Sequence, residues 1–397
     1  MVASTAEQMR AYRGPALFSF GFRPFFLFGS LTAALLPVVV ALAMAGLAAP
    51  VSAYGVIAWH GHEMVYGYLA AVVAGFVLTA VPNWTGRLPV IGGRLMSLFS
   101  LWLFGRVAIA ASNAIGAGAA AIIDASFLIV LDLIIVREVV AGKNWRNLAV
   151  CFLIGLFAAG NIIWHARAMT GGVDQFGLRW GLAVIAMLIA FIGGRITPSF
   201  TRNWFVKNKM DVSVAQFSLF DKVALAALGA GLVSWLAAPT GVLTGAILAG
   251  ASLLHVARLL RWRGWRTFRE PLVTILHVGY LWLAVAVGLL AAAAFQAAGV
   301  SVSTAFHALT AGAAGVMTLA VMTRATRGHT GRELTTDAAT NVIFLLVNLG
   351  AIVRVAAGFI PSIYSDLLIA SSLAWSGAFF IFAVSYGRYL CALRAGE

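Results

Sequence analysis

The chain has 397 residues, 62% of them hydrophobic and 10% charged, with a mean hydropathy of +0.96. A soluble fold could not hide that much apolar surface, so the composition specifies an all-α polytopic membrane protein. The formal net charge of +14 is spread over alternate short loops without a basic domain, which makes it a topology signal and speaks against a nucleic-acid partner.

Twelve apolar spans follow one another: about 25–49, 59–81, 95–112, 115–136, 148–170, 180–198, 217–238, 242–260, 271–294, 303–323, 338–359 and 366–389. The loops after spans two, four, six, eight and ten carry the cations: Arg87 and Arg94; Arg137, Lys143 and Arg146; Arg202, Lys207 and Lys209; Arg261, Arg263, Arg266 and Arg269; Arg324, Arg327 and Arg332. The loops after spans one, three, seven and nine have no Lys or Arg. By the positive-inside rule both termini are cytoplasmic, with the loop after span five, which holds Arg167 and Arg179, the one blurred point. Ala43-Met44-Ala45 has the form of a cleavage site, but the apolar run before it is too long for a signal peptide, and the first span reads as a retained helix. Cys151 and Cys391 lack CxxC spacing and read as reduced, structural thiols. Residues 1–397 thus read as a single integral membrane domain. A weak internal echo runs through it: His62 precedes Arg87 of a Thr-Gly-Arg by 25 residues, as His307 precedes Arg332 of another.

Chemistry gathers first at Trp59-His60-Gly61-His62-Glu63-Met64, at the mouth of span two. Two imidazoles, a carboxylate and a thioether are costly in lipid and suit copper or haem iron. His165 in span five and His307 in span ten fall at the same outer level as His60 and His62, within roughly 10 Å of depth at the helical rise. That agreement between three distant segments makes His60, His62, His165 and His307, with Met64, the candidate metal ligands. The alternative is that each imidazole makes an interhelical hydrogen bond. On a regular helix His60 and His62 lie about 200° apart, so both reach one ion only if Gly61 bends the chain. Glu63 is the candidate catalytic proton carrier, or else an orienter of a ligating histidine or itself a hard ligand.

His255 near the end of span eight and His277 near the start of span nine share the opposite level and form the candidate cofactor-binding pair, while His329 reads as a loop residue. Arg106 in span three and Arg354 in span eleven are placed to clamp haem propionates, or else to pair with Glu63 or a helix end. Asp124 and Asp132 share one face of span four and read as a proton relay toward Glu63, or as partners of buried polar groups. Trp84, Trp102, Trp164 and Trp282 read mostly as interfacial anchors.

Five stretches are familiar together: FRPFFLFG at 22–29, WHGHEMVYGYLAAVVAGFVLTAVPNWTG at 59–86, GGRITPSFTRNW at 193–204, LHVGYLW at 276–282 and HALTAGAAGVMTLAVMTRATRGHTGREL at 307–334. They resemble the NnrS family over almost the whole chain. The resemblance implies a bacterial inner-membrane protein of about twelve helices that contains haem b and copper and belongs to the nitric oxide and denitrification response. The function expected is binding and reduction of nitric oxide, as in an oxidoreductase of the nitric oxide reductase type, with an electron donor that the sequence does not name. The alternatives are haem-dependent nitric oxide resistance or sensing without turnover, and a twelve-helix transporter, against which the mostly apolar midplane counts. The resemblance does not divide the histidines between haem and copper.

The orientation is directly testable. A reporter active only in the periplasm, fused at Gly55, should be active, and fused at Arg263 inactive; the reverse pattern would overturn the shared outer level.

Overall fold

The computed structural model describes residues 12–47, 52–170 and 175–394, and each predicted span becomes a helix over its described part, the end of the first, 48–49, lying outside the described residues. Twelve helices are long and apolar enough to cross a membrane: α1 Phe22–Met44, α2 Val56–Thr85, α3 Gly92–Ala110, α4 Ala117–Ala141, α5 Trp145–Thr170, α6 Phe176–Lys207, α7 Leu219–Ala237, α8 Val242–Arg266, α9 Pro271–Ala294, α10 Val302–His329, α11 Ala338–Ala357 and α12 Pro361–Leu390. Among the described residues there is no strand. The ninth span matches its predicted ends, and the longest overruns at C-terminal ends are in α6, α8 and α10. These run on through Arg202, Arg261 and Arg327, where polar residues hide the continuing segment from any reading of apolarity.

The ends obey ordinary capping chemistry. Gly86, at φ 67°, closes α2 in the left-handed conformation and returns its N–H to the Pro82 carbonyl. Ser218 and Asp221 form a reciprocal capping box at the start of α7. Asp337 accepts from the Thr340 N–H at 2.8 Å to start α11.

Among the described residues three helices contain a π-helical segment: Glu63–Leu69 in α2, Ile189–Gly193 in α6 and Ala308–Ala314 in α10. Such segments shift the side-chain phase of a helix and recur at functional sites. In α2 and α10 the segment begins immediately after His62 and His307, so the internal echo extends to the backbone.

The chain divides into two compact units. One comprises Met1–Val184, Ala325–Arg332 and Phe382–Glu397, the other Ile185–Arg324 and Glu333–Ile381. In the first unit, α4 packs between α3 and α5, and α1 lies against α2. Its core is aromatic, with Phe22, Phe25, Phe26, Trp102 and Phe157 all buried. Arg23 is buried beside them and ties α1 to the last turn of α12, donating through Nη1 to the carbonyls of Tyr389, Leu390 and Ala392 at 3.2, 2.9 and 2.5 Å. In the second unit, α8 and α9 form the main pair, flanked by α7 and α10. Cys151 is buried and Cys391 exposed, and both are free thiols.

Arg23 serves carbonyls that no helical N–H can reach. Arg23→Met should therefore lower the stability of detergent-solubilised protein by about 2 kcal/mol, read as a fall of several degrees in Tm, whereas an unchanged Tm would contradict the role.

Candidate metal centre

Three helices of the first unit bring donors to one point. His62 of α2, Asp124 of α4 and His165 of α5 each offer one ligand atom, and these atoms lie within 4.8 Å of one another. His62 Nε2 is 3.2 Å from Asp124 Oδ2, and His165 Nε2 is 3.0 Å from the same oxygen. All three side chains are buried. Asn161, one turn before His165 on the same face of α5, braces the group. Its Oδ1 lies 2.9 Å from His62 Nε2, and its Nδ2 donates to Asp124 Oδ2 at 2.8 Å.

The charges around the donors are arranged to hold them. Arg106 of α3 pairs through Nη2 with Asp124 Oδ1 and through Nη1 with Glu63 Oε1 at 3.2 Å. The same Glu63 oxygen lies 3.1 Å from His62 Nδ1. A carboxylate on the far nitrogen of an imidazole fixes its tautomer and orientation and leaves the other nitrogen for a ligand. The Tyr54 hydroxyl lies 3.4 Å from His165 Nδ1. Burial, with the Asp124 carboxylate second, pushes the Tyr54 phenol up to about 12, so it remains a protonated donor at neutral pH.

Glu63 and Asp124 set against Arg106 leave one net negative charge when both imidazoles are neutral. In a buried site that charge calls for a cation, either a proton on an imidazole or a metal ion. Two imidazole nitrogens and a carboxylate oxygen are a donor set that fits copper, zinc or non-haem iron.

The π-helical segment of α2 makes room for this arrangement. Gly67 faces the Arg106 guanidinium, and a Cβ there would collide with Nη1 and come within 3.1 Å of Glu63 Oε2. The Gly67 carbonyl accepts from Trp102 Nε1 at 3.0 Å.

The structure thus brings together His62, His165, Glu63, Arg106 and Asp124. Two of the expected outer quartet stand outside the converging donor set. His60 is half-buried two residues before His62, where helical phase carries it to another face. His307 belongs to the second unit, where its Nδ1 donates to the Ser303 carbonyl at 2.8 Å. Met64 is half-buried within the π-helical segment.

Asp124, expected in a proton relay or else as partner of buried polar groups, is the hub of the cluster and meets Arg106 and Asn161. Asp132 is half-buried, its Oδ1 without a hydrogen bond, and no hydrogen-bonded chain among the described residues joins it to Asp124 about 12 Å away along the helix. Arg106, expected to clamp a propionate or to pair with Glu63 or a helix end, pairs with Glu63 and Asp124. Arg354, in the second unit, has Nη2 3.5 Å from Ser303 Oγ and its guanidinium 5.9 Å from the Tyr364 ring centre. Trp102 and Trp164, expected at the interface, are buried. Sequence reasoning also passed over Asn161 and Tyr54. The one legible signal for Asn161 was a lone amide in an apolar span, four residues before a histidine.

The inner histidines belong to a separate buried network in the second unit. Asp221 accepts from Arg258 Nε at 2.8 Å, and Arg258 Nη1 donates to the Ala190 carbonyl at 2.8 Å and to the Tyr280 hydroxyl at 2.7 Å. Ala190 lies in the π-helical segment of α6. The same Tyr280 hydroxyl lies 2.7 Å from His255 Nδ1. Thr201 donates to the Thr197 carbonyl at 2.8 Å and therefore accepts from His277 Nε2, also at 2.8 Å. His277 Nδ1 lies against the backbone of Gly264, where a Cβ would collide with the ring. His255 Nε2 and His277 Nδ1 have no hydrogen-bond partner among the described residues, so each imidazole is held through one nitrogen by a hydroxyl. His329 stacks on Phe20 with ring centroids 5.5 Å apart, in the first unit.

Twelve apolar helices and a buried cluster of histidine and carboxylate define the class, a polytopic membrane protein with a candidate metal-binding site. A family model described as NnrS protein matches residues 16–394, and the chain belongs to that family. No curated protein matches the chain.

Gly67→Ala should displace Arg106 and destabilise the protein by about 1–3 kcal/mol. Gly250→Ala, in a helix position with nothing within 4 Å of the added methyl, should be neutral or slightly stabilising. Equal Tm values for the two variants would contradict the close approach at Gly67.

Proposed function

We propose that the chain is a copper-binding metalloprotein of a bacterial inner membrane that binds and reduces nitric oxide. The observation that carries the reading is the convergence of His62 Nε2, His165 Nε2 and Asp124 Oδ2 within 4.8 Å in a buried, net-negative setting. A monovalent copper ion would bring the cluster to neutrality, whereas a divalent ion would leave it with one positive charge. Imidazole ligands also suit copper.

When bound, copper supplies a one-electron redox centre and a coordination position for a small ligand. The protein's own groups do the rest. Glu63 holds His62 in register from Nδ1, Tyr54 faces Nδ1 of His165, and Arg106 pairs with both carboxylates, so the two Nε2 atoms are the ones that would meet the ion. Nitric oxide is small, uncharged and soluble in lipid, so the apolar helices around the cluster admit it without a polar channel. Glu63 touches His62 and Arg106, which makes it a positioning residue that can also hold a proton beside the site. Haem b is part of the same proposal on the strength of the family resemblance. His255 and His277, each hydrogen-bonded through one nitrogen to a hydroxyl, would have to hold it through the other.

A second reading, transport, draws on the π-helical segments in α2, α6 and α10. Transport sites use helices broken near the midplane. In this chain the segments continue the helix on both sides, which favours the metalloprotein.

Copper analysis of purified variants tests the proposal. His62→Ala and His165→Ala should each lose the bound copper and the optical response to nitric oxide. Glu63→Gln should weaken copper affinity about 10- to 100-fold, and His255→Ala should keep copper. Full copper content in both His62→Ala and His165→Ala would make the cluster a structural ion-pair network.

A further inference from the structure

Trp164 lies one residue before His165 and against both ligand rings of the first unit. Its ring centroid is 4.3 Å from that of His62, 5.0 Å from that of His165 and 4.8 Å from that of Tyr54. The side chain is 1% exposed, and its Nε1 has no hydrogen-bond partner among the described residues. Buried indole N–H groups ordinarily find an acceptor. The other aromatic donors beside His62 and His165 are satisfied. The Tyr54 hydroxyl reaches His165 Nδ1 and the Ala117 carbonyl, and the Tyr66 hydroxyl donates to the Gly177 carbonyl at 2.6 Å. Phenylalanine would pack similarly against the imidazoles without a donor to desolvate, so packing alone gives no reason for an indole here. An acceptor that arrives with a ligand of the site accounts for it.

We propose that the Trp164 indole N–H is the hydrogen-bond donor to a small, linear, electron-rich ligand bound at the His62–His165 centre, which makes Trp164 a catalytic residue. The inference rests on the copper reading above and deepens it by naming the chemistry that recognises the ligand. A diatomic or triatomic ligand with partial negative charge on its outer atom is favoured, because a donor fixed in a low-dielectric setting strengthens with that charge. A ligand without an acceptor atom would leave the N–H unpaired and be discriminated against.

The test uses full-length, copper-loaded protein in detergent with azide as the probe, followed by infrared spectroscopy and titration. Trp164→Phe should retain copper, raise the azide Kd about three- to tenfold and move the azide stretching frequency. Trp59→Phe, which also removes a buried N–H without a hydrogen bond, should do neither. If Trp164→Phe fails to fold, β-(3-benzothienyl)alanine at position 164 keeps the bicyclic shape without the N–H and should give the same shift. Copper bound normally with an unchanged azide Kd and frequency in these variants, equal shifts in Trp59→Phe, or no azide binding to the copper-loaded wild type would overturn the assignment alone. Wild-type protein that takes up no copper would overturn it together with the reading on which it rests.

Discussion

The Asp124 carboxylate is the interaction on which the first unit turns. One oxygen faces His62, His165 and Asn161, and the other pairs with Arg106. Through these partners a single side chain of α4 joins α2, α3 and α5. Alone in a membrane interior, that carboxylate would be expensive. Surrounded as it is, it turns a desolvation cost into a geometric constraint, since removing any one partner leaves a buried charge short of compensation. The residual negative charge of the group sets its chemistry, because a cation must be present in some form.

The second unit solves a similar problem differently. Asp221, already oriented by the Ser218 cap, neutralises Arg258, and Arg258 spends its remaining donors on a π-helical carbonyl and on Tyr280. His255 and His277 then act as hydrogen-bonding partners of hydroxyls. In the first unit the two imidazoles turn their Nε2 atoms toward one carboxylate oxygen. In the second each is bound through one nitrogen by a different side chain.

The twelve spans were legible because hydropathy and length act locally, and misplacement was confined to ends such as those of α6 and α10, where polar side chains ride on a continuing helix. His62 and His165 were legible as a pair because two distant segments placed imidazoles at one depth. The role of Asp124 was not, since an aspartate in a span reads alike as a relay, a ligand or an ion-pair partner until its neighbours are known. Trp164 was lost for a related reason: depth alone does not separate an indole anchored at the interface from one turned inward against His62. The π-helical segments leave no mark in composition, so their effects on the phase of Glu63 and on the approach of Arg106 to Gly67 had to come from coordinates. Family resemblance supplied haem, copper and nitric oxide, but it left the histidines undivided, and only geometry singled out two of them.

X-ray absorption at the copper edge of the reduced, copper-loaded protein tests the central claim most directly. The account predicts monovalent copper bound by two imidazole nitrogens and one oxygen, with the imidazole scattering diminished in His165→Ala. Sulfur scattering from a methionine ligand, or four imidazoles around one ion, would contradict it.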